Sequence, residues 1–360
     1  MREGWEYKKL GEVCTIKAGY TPQKNELSDN GAYPYYKVAD MNTLGNDVYL
    51  DITSSYKIDA NKLFPKGAIV FPKNGAAVST NKKRILKYDS IVDLNTGVAI
   101  FPKSINEKFA YYWFIDTDFK KYVRGGALPT LDIKSLKDKP FPSIDKSIQL
   151  AIVSELDNIN ELIRLKKEQL KDFDNLAQSL FYEMFGDPVE NEKGWEVKNL
   201  GEVYKMKSGD SLSTKSFEEG DIPVYGGNGI SGYHNQYNKD GSYIIIGRVG
   251  VYCGNVRIVK GRFWLTDNAF ELLYDNSSQN EVFVCSLLTH LNLRQYANAA
   301  AQPVISNNTL KHVSIPLPPL PLQQLFAHRI EQIEHQKAEV QKSITDLETL
   351  LASRMQYWFE

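Results

Sequence analysis

The sequence predicts an α+β protein: two mixed α/β domains with strand-rich cores, each followed by a long helix, the two helices forming an antiparallel coiled coil with pseudo-twofold symmetry. Three observations predict this fold class. A ten-residue motif occurs twice, and apolar residues repeat at heptad spacing near the end of each half. The interior of each half is rich in β-branched and aromatic residues, as strands are.

The repeated motif indicates that the chain is a duplication. Residues 4–13 read GWEYKKLGEV and residues 194–203 read GWEVKNLGEV, so eight of ten positions are identical at an offset of 190. A weaker match at an offset of 174 closes each half and pairs Tyr122 with Tyr296, Pro129 with Pro303, Leu136 with Leu310 and Pro142 with Pro316. We therefore interpret each half as one structural unit, with loops of different length between fixed anchors.

Each half ends in a segment with the a/d spacing of a coiled coil. Each segment is roughly 35–40 residues long, far above the average for a globular helix. Lys166 interrupts the first seam, and Lys337 and Arg354 interrupt the second. The predicted helix-pair interface comprises Leu156, Ile159, Ile163, Leu170, Phe173, Leu180, Ile330, Ile333, Val340, Ile344, Leu347 and Leu351. The alternative is that each helix packs only on its own domain and faces solvent.

Start and stop signals set the domain boundaries. Prolines precede both helices, and Gly186-Asp187-Pro188 ends the first one. We predict a first globular domain at 1–142, a helix at 143–188, a second globular domain at 189–321 and a C-terminal helix at 322–360. Antiparallel pairing of the helices would place the globular domains at opposite ends of a rigid spacer.

The two globular domains show the same progression of strands and a short helix. In the second domain the strand-rich runs are 237–259 and 262–274, and the helix lies in 282–296. In the first domain they are 67–78, 90–101 and a helix across 107–123. The progression places Asp93-Leu94-Asn95 of the first domain where Thr266-Asp267-Asn268 lies in the second.

Composition and charge exclude several classes. The 360 residues are 42% hydrophobic and 24% charged, as in globular proteins of two or three domains. No apolar run is long enough for a transmembrane helix, the N-terminal residues form no signal segment, and Cys14, Cys253 and Cys285 form no CxxC pair. We therefore predict a cytoplasmic protein that does not enter a membrane.

The net charge is −1, but it is unevenly distributed. Residues 1–142 carry +6, residues 143–193 carry −5, residues 194–321 are neutral and residues 322–360 carry −2. The first globular domain is thus basic, as a nucleic-acid-binding domain normally is, whereas the second is neutral.

Motifs of catalysis are absent from the sequence. There is no Asn-Pro-Pro-aromatic or Asp-Pro-Pro-aromatic tetrapeptide, no Walker A loop and no nuclease pattern, and the five histidines lack metal-ligand spacing. Gly227, Gly229 and Gly232 have GxGxxG spacing, but the turn residues Asp240-Gly241 follow rather than a helix, which favours a glycine-rich turn over a nucleotide loop. We predict a non-catalytic chain that binds no metal or cofactor itself.

Several segments together resemble one family. LAQSLFYEMFGDP (176–188) followed by GWEVKNLGEV resembles the central conserved region of the specificity subunits of Type I restriction-modification enzymes. IPVYGGNGISGYHNQYN (222–238), IIIGRVG (244–250) and FWLTDNAFEL (263–272) resemble a common class of their target recognition domain, and IPLPPLPLQQ (315–324) resembles the entry to their C-terminal conserved region. The first domain departs from this pattern, because it has YPYYKVADMN (33–42) in place of the YGGNG segment.

The resemblance implies a subunit that recognises bipartite double-stranded DNA without doing chemistry. Two modification (methyltransferase) subunits would dock on the long helices, which would also set the gap between the half-sites. Restriction subunits would complete a complex with adenine-DNA methyltransferase and endonuclease activity. S-adenosylmethionine, ATP and Mg would bind to the partner subunits.

Candidate DNA contacts follow from residue type, since cations contact phosphates and polar side chains read bases. Candidates in the first domain are Tyr20, Thr21, Lys73, Lys82, Lys83, Arg84 and Arg124. Candidates in the second domain are Lys207, Ser211, Lys215, Asn228, Ser231, Tyr233, Asn235, Arg248 and Arg257. The alternatives are solvated surface for each lysine, a structural salt bridge for Arg248, and a structural turn for Asp267 and Asn268.

Two other functions remain open from the residues alone. The chain would fit a recognition fragment of a fused restriction-methylation enzyme. It would also fit a coiled-coil scaffold or a carbohydrate-binding protein without nucleic-acid function. Competition by duplex DNA would exclude the second alternative.

Overall fold

The computed structural model describes residues 2–57, 59, 61–125, 129–298 and 303–360. They form two compact units. Unit 1 comprises Met1–Lys166 and Ser343–Glu360, and unit 2 comprises Lys167–Lys342. Each unit therefore contains one strand-rich domain together with parts of two long helices.

Unit 1 begins with thirteen short strands and three helices among its described residues. The strands are β1 Glu6–Lys9, β2 Thr15–Ala18, β3 Leu27–Ser28, β4 Tyr33–Tyr36, β5 Tyr49–Leu50, β6 Tyr56–Lys57, β7 Ile69–Pro72, β8 Arg84–Leu86, β9 Ile91–Val92, β10 Thr96–Ile100, β11 Val123–Arg124, β12 Thr130–Leu131 and β13 Pro140–Ser143. The helices are α1 Leu10–Val13, α2 Glu107–Asp116 and α3 Ile133–Lys137.

The strands of unit 1 form a five-stranded sheet in the order β2-β10-β7-β8-β5 and a four-stranded sheet in the order β3-β6-β4-β9. Helix α2 starts where the Asn106 side chain accepts hydrogen bonds from the backbone N–H groups of Lys108 and Phe109. Its aromatic residues are buried against the larger sheet, where Phe114 stacks on Phe71 with ring centroids 5.5 Å apart. These aromatic contacts form part of the core of unit 1.

After the first long helix, α4 Lys146–Phe185, the second strand-rich domain follows. Its strands are β14 Val197–Asn199, β15 Lys205–Ser208, β16 Ile222–Gly226, β17 Gly229–His234, β18 Lys239–Gly247, β19 Val256–Leu265, β20 Ala269–Leu273 and β21 Ser314–Pro316. Its helices are α5 Leu200–Val203, α6 Glu281–His290 and α7 Asn307–Leu310, and α8 Leu320–Phe359 follows them.

The main sheet of unit 2 has six strands in the order β15-β20-β18-β19-β16-β17. It keeps the arrangement of unit 1, because β15, β20 and β18 neighbour one another as β2, β10 and β7 do. Both domains contain parallel strand pairs: β4 with β9 and β5 with β8 in unit 1, and β16 with β19 in unit 2. The predicted duplication is therefore visible in the strand order, and both domains are mixed α/β as expected.

Each domain is closed by a ladder between its first and last strands. β1 pairs antiparallel with β13, with Glu6 opposite Ser143, and β14 pairs antiparallel with β21, with Val197 opposite Pro316. The repeated motif supplies the first strand of each ladder and the helix turn behind it. The beginning and the end of each domain therefore lie side by side.

A buried glutamine anchors the start of each long helix. In unit 1 the Oε1 of Gln149 accepts the backbone N–H of Asn106 at 2.8 Å. In unit 2 the Oε1 of Gln323 accepts the backbone N–H of Asn280 at 2.9 Å. Both glutamines are 1% exposed, so these contacts replace water in the core.

The two long helices contact each other within each unit. In unit 1, Arg354 forms an ion pair with Glu155, and the Trp358 indole N–H also donates to Glu155 at 3.1 Å. In unit 2, the Lys337 ammonium lies 2.8 Å from a carboxylate oxygen of Asp174. Lys337 and Arg354, the basic residues expected to interrupt the second seam, therefore form ion pairs with the other helix.

The residues of the predicted helix-pair interface are buried or half-buried, whereas their neighbours on the helices are mostly exposed. Leu156 belongs to the core of unit 1, and Leu180 and Ile333 belong to the core of unit 2. These three interface residues thus pack on the strand-rich domains. The alternative interpretation expected such packing along the whole of each helix.

Candidate nucleic-acid interface

A cation follows the central strand of each domain at the same place. β7 is followed by Lys73, and β18 is followed by Arg248. The backbone N–H of Lys73 donates to the carbonyl of Asn95 at 2.8 Å, and that of Arg248 donates to the carbonyl of Asn268 at 2.9 Å. The two candidate phosphate contacts therefore occupy equivalent positions in the fold.

The turn that contains each asparagine is held in the same way. The backbone N–H of Asp93 donates to the carbonyl of Tyr36, and that of Thr266 donates to the carbonyl of Tyr225, both at 2.9 Å. The predicted correspondence of these two turns is therefore confirmed.

Further backbone hydrogen bonds repeat around the two turns. The matched pairs are Gly75 N to Pro129 O with Gly250 N to Pro303 O, Leu131 N to Lys73 O with Ile305 N to Arg248 O, and Tyr20 N to Val92 O with Asp210 N to Leu265 O. We call this set of matched bonds the shared frame. It brings together loops from four separate parts of each domain.

The candidates after the first repeated motif lie beside this frame. The Tyr20 hydroxyl donates to the carbonyl of Asn61 at 3.1 Å, and the ammonium of Lys62 lies 4.7 Å from the centre of the Tyr20 ring. Thr21 is exposed and lines a cleft together with Tyr20, Asn61 and Lys62. In the second domain Ser211 is exposed at the matching place.

Lys83 does not fit the role expected of it. Its side chain is fully buried, its ammonium donates to the carbonyl of Thr117 at 2.7 Å, and burial lowers its pKa to about 7. A buried amine that loses its proton near neutral pH is unsuited to a phosphate, so the expectation is wrong for Lys83.

Two neighbours of Lys83 are also engaged within the domain. The Arg84 guanidinium donates to the backbone carbonyls of Met41, Asn46 and Lys83, which ties three loops together. Lys82 donates to the Asn42 side chain and is half-buried. Lys83 and Arg84 therefore stabilise the domain, whereas Lys82 keeps part of its surface exposed.

Other cations are on the surface. Arg124 is exposed and pairs with Asp132, and Lys207 and Lys215 are exposed. Arg248 is half-buried, with Nη1 3.5 Å from the carbonyl of Asp267.

Arg257 lies beside a second arginine that residue type alone did not single out. Arg257 and Arg294 line one cleft together with Asn292. Two guanidinium groups in one cleft suit an anion such as a phosphate. The sequence does not indicate that the two arginines share a cleft, because Arg294 lies 37 residues after Arg257, beyond the intervening helix α6.

The glycine-rich segment is a hairpin turn, as expected. β16 and β17 pair antiparallel, with Gly226 opposite Gly229 and residues 227–228 at the tip. A Cβ on Gly227 would lie 2.9 Å from the carbonyl oxygen of Val249, so no larger residue fits without a shift. Asn228 is exposed at this tip.

The remaining polar candidates lie along β17 and just after it. The Ser231 hydroxyl donates to the carbonyl of Val224 at 3.1 Å, and the Asn235 amide donates to a carboxylate oxygen of Glu218 at 2.7 Å. Tyr233 is 55% exposed. Tyr233 thus presents a free aromatic surface, whereas Ser231 and Asn235 have partners within the domain.

Two other kinds of feature are absent from the residues that the structure describes. No group of three or more His, Cys, Asp or Glu side chains in them is arranged to hold a metal ion. None of the helices searched in this part of the chain is both long and apolar enough to cross a membrane.

Two known proteins are similar to most of this chain. A relative from Escherichia coli, the specificity subunit of the Type I restriction enzyme EcoprrI, is 26% identical over 97% of this chain and 91% of its own length. A putative type I specificity subunit from Mycoplasma pneumoniae is 24% identical over 87% of this chain and 84% of its own length.

Two solved structures share the fold at 18% identity. One is the crystal structure of a Type I restriction-modification S subunit from M. genitalium, with a TM-score of 0.59 over 100% of this chain and 98% of that chain. The other comes from a study of complex assembly and conformational transition of the type I R-M system, with a TM-score of 0.68 over the same shares.

The family match covers both halves. The model of the Type I restriction modification DNA specificity domain matches residues 2–172 and again residues 192–349. Each match includes one strand-rich domain and part of a long helix. The chain therefore belongs to the family of Type I restriction-modification specificity subunits.

Proposed function

We propose that this chain recognises a bipartite sequence in double-stranded DNA, with one half-site read by each strand-rich domain. The observation that carries the proposal is the shared frame. It places a cation, Lys73 or Arg248, at the same point of two domains whose surrounding side chains differ. Equal placement with unequal side chains is expected of two domains that bind the same polymer and read different sequences on it.

The proposed phosphate contacts are the cations that remain available at the surface. They are Lys73, Lys82 and Arg124 in the first domain and Lys207, Lys215, Arg248, Arg257 and Arg294 in the second. The proposed polar contacts are Tyr20, Thr21, Ser211, Asn228, Ser231, Tyr233 and Asn235. Lysine and arginine contacts supply affinity, whereas hydrogen bonds to base edges supply sequence preference.

We also propose that α4 and α8 pair as an antiparallel coiled coil. Glu155 of α4 pairs with Arg354 near the end of α8, whereas Asp174, later in α4, pairs with Lys337, earlier in α8. In an antiparallel pair, a residue later in one helix contacts a residue earlier in the other, as in these two ion pairs. Such a coil would fix the distance between the half-sites and relate the two halves by a pseudo-twofold axis.

Membership of the family supports a proposal for the partners. We propose that two modification subunits dock on the long helices and that restriction subunits join the full complex. The chain would be non-catalytic, with S-adenosylmethionine, ATP and Mg bound by the partners. We propose domain limits at 1–142, 143–188, 189–321 and 322–360, and activity in the cytoplasm.

An exchange of one domain tests the proposed function. Residues 15–140 are replaced with the first domain of another specificity subunit, and the chain is expressed with its modification subunits. Sequencing of methylated bases in the host should show one half of the motif changed and the other half retained. A change in both halves, or no methylated motif with the unaltered chain, contradicts the proposal.

A further inference from the structure

A cleft opens beside the shared frame in each domain. The first cleft is lined by Lys37, Asn74, Asp93, Asn95 and Thr130, among others. The second cleft is lined by Asn228, Ser231, Val249, Thr266 and Asn268, among others. The hydrogen bonds of the shared frame run between these same loops, so the clefts are equivalent in position.

The side chains differ at equivalent positions of the two clefts. Asp93 in the first cleft corresponds to Thr266 in the second, because the backbone N–H of each donates to the carbonyl of an equivalent tyrosine, Tyr36 or Tyr225. Asn74 corresponds to Val249, because each follows the cation of the frame and bridges to Thr130 or Val304. The chemistry of the cleft thus differs between the two domains while the backbone hydrogen bonds around it are the same.

The first cleft presents a chain of amide and carboxylate groups. The Asn74 amide lies 3.4 Å from the Asn95 side-chain oxygen, and the Asn95 amide donates to a carboxylate oxygen of Asp93 at 3.3 Å. Asn95 is exposed. The long distances leave hydrogen-bonding capacity for a ligand, since good bonds of this type are near 2.9 Å.

The second cleft contains a buried hydroxyl that lacks a partner. Thr266 is 3% exposed, and its Oγ1 has no hydrogen-bond partner among the residues that the structure describes. Gly226 lies beside this oxygen, because a Cβ built on the glycine would lie 3.5 Å from it, and both residues line the cleft. A buried polar atom without a partner is costly, which points to a ligand that pairs with it.

We propose that these two clefts read the bases of the two half-sites. Asn74, Asp93 and Asn95 would set the preference of the first domain, and Asn228, Thr266 and Asn268 that of the second. Amide, hydroxyl and carboxylate groups are those that recognise base edges. The neighbouring Lys73 or Arg248 would hold the phosphate beside the bases. The inference rests on the proposed function, because it requires both domains to bind duplex DNA.

The test uses the full chain assembled with its modification subunits. Three cleft variants, Asn95→Ala, Thr266→Val and Asn268→Ala, are compared with the unaltered complex and with the rescue variant Thr266→Ser. The control is Asn308→Ala, at an exposed residue of α7 outside both clefts. Thr266→Val removes only the hydroxyl at nearly constant shape. Bound sequences are selected from a library of duplexes with randomised half-sites and read by sequencing.

We expect Asn95→Ala to lower base discrimination by about tenfold or more at one or two adjacent positions of one half-site. Thr266→Val and Asn268→Ala should do so in the other half-site, and Thr266→Ser should restore the preference. The gap and the untouched half-site should stay unchanged, and Asn308→Ala should match the unaltered complex.

Two results would overturn the inference and leave the proposed function intact. One is a bipartite preference that stays within twofold of the unaltered complex in all three cleft variants. The other is an equal loss of affinity for every sequence, which would indicate contact with the backbone only. If the unaltered complex selects no sequence, the proposed function itself fails, and the inference fails with it.

Discussion

Gln323 and Asn280 lock the second long helix to the domain before it. The Gln323 side chain accepts the Asn280 backbone N–H at 2.9 Å and donates to the carbonyl of Pro318 at 2.7 Å. Asn280 in turn caps α6. The same bond links Gln149 to Asn106 in unit 1, at an offset of 174 residues.

Gln323→Leu should therefore lower the free energy of unfolding by about 1–3 kcal/mol, because it leaves a buried N–H without its acceptor. Denaturant unfolding of the purified chain measures this. The control is Gln324→Leu at the adjacent exposed position, which should change the free energy by less than about 0.5 kcal/mol. Equal effects of both substitutions would show that the hydrogen bond between Asn280 and Gln323 does not contribute to the free energy of unfolding.

Lys73 and Arg248 should each contribute one phosphate contact. Lys73→Gln and Arg248→Gln should weaken binding of every duplex alike and lower the salt dependence of the binding constant by about one ion each. The measurement is a salt titration of duplex binding by the assembled complex. Lys8→Gln, an exposed lysine of β1, is the control and should leave the slope unchanged. If the dependence of the binding constant on salt were unchanged in both variants, neither residue would contact a phosphate.

Matched insertions test whether the helices set the gap. Seven residues placed after Lys166 and seven placed after Lys342 keep the heptad pattern and lengthen both helices by about 10 Å. Since DNA rises about 3.4 Å per base pair in each strand, the recognised gap should grow by about three base pairs. Both half-site sequences should be retained in the methylated motif. An active complex with the original gap would exclude the helices as a ruler.

The ion pair between Glu155 and Arg354 should contribute measurably to the pairing of the helices. A double-mutant cycle with Glu155→Gln and Arg354→Gln should give a coupling of about 1 kcal/mol in the free energy of unfolding, since both side chains are only about one third exposed. The matched cycle is Glu161→Gln with Arg164→Gln, a pair within one helix, where about 0.5 kcal/mol or less is expected. No coupling in the first cycle would contradict the contact.

Burial of Lys83 should make stability depend on pH. Its pKa is lowered to about 7 in the folded state from an ordinary value of 10.5, because burial disfavours the charged form. Between these values the unfolded chain holds a proton that the folded chain lacks, so the free energy of unfolding rises with pH and falls as pH drops towards 7. Lys83→Met should flatten this rise in denaturant unfolding at about pH 7 and pH 10. The exposed control Lys66→Met should keep it, and the same rise in both variants would refute the assignment.

Periodicity and repetition predicted what depends on local pattern. The two predicted long helices are α4 and α8, and the turn of Asp93 is equivalent to that of Thr266. Both were predictable because heptad spacing and repeated motifs are properties of short segments. Lys83 was misjudged because a run of basic residues resembles surface, and only the fold shows Thr117 and Phe119 enclosing its ammonium. The clefts were not predicted either, because their walls come from segments far apart in the chain.

The closing ladders have a consequence for how such a chain can change. Because β1 pairs with β13 and β14 pairs with β21, the chain enters and leaves each domain at the same place. A gene exchange with both crossovers near the ladder strands would deliver a closed module. The same strand residues would form the hydrogen bonds of the ladder again, and the contacts of the helices on either side would stay unchanged. New reading specificities would then arise by inheritance of whole modules, without any adjustment of the machinery that acts on the DNA.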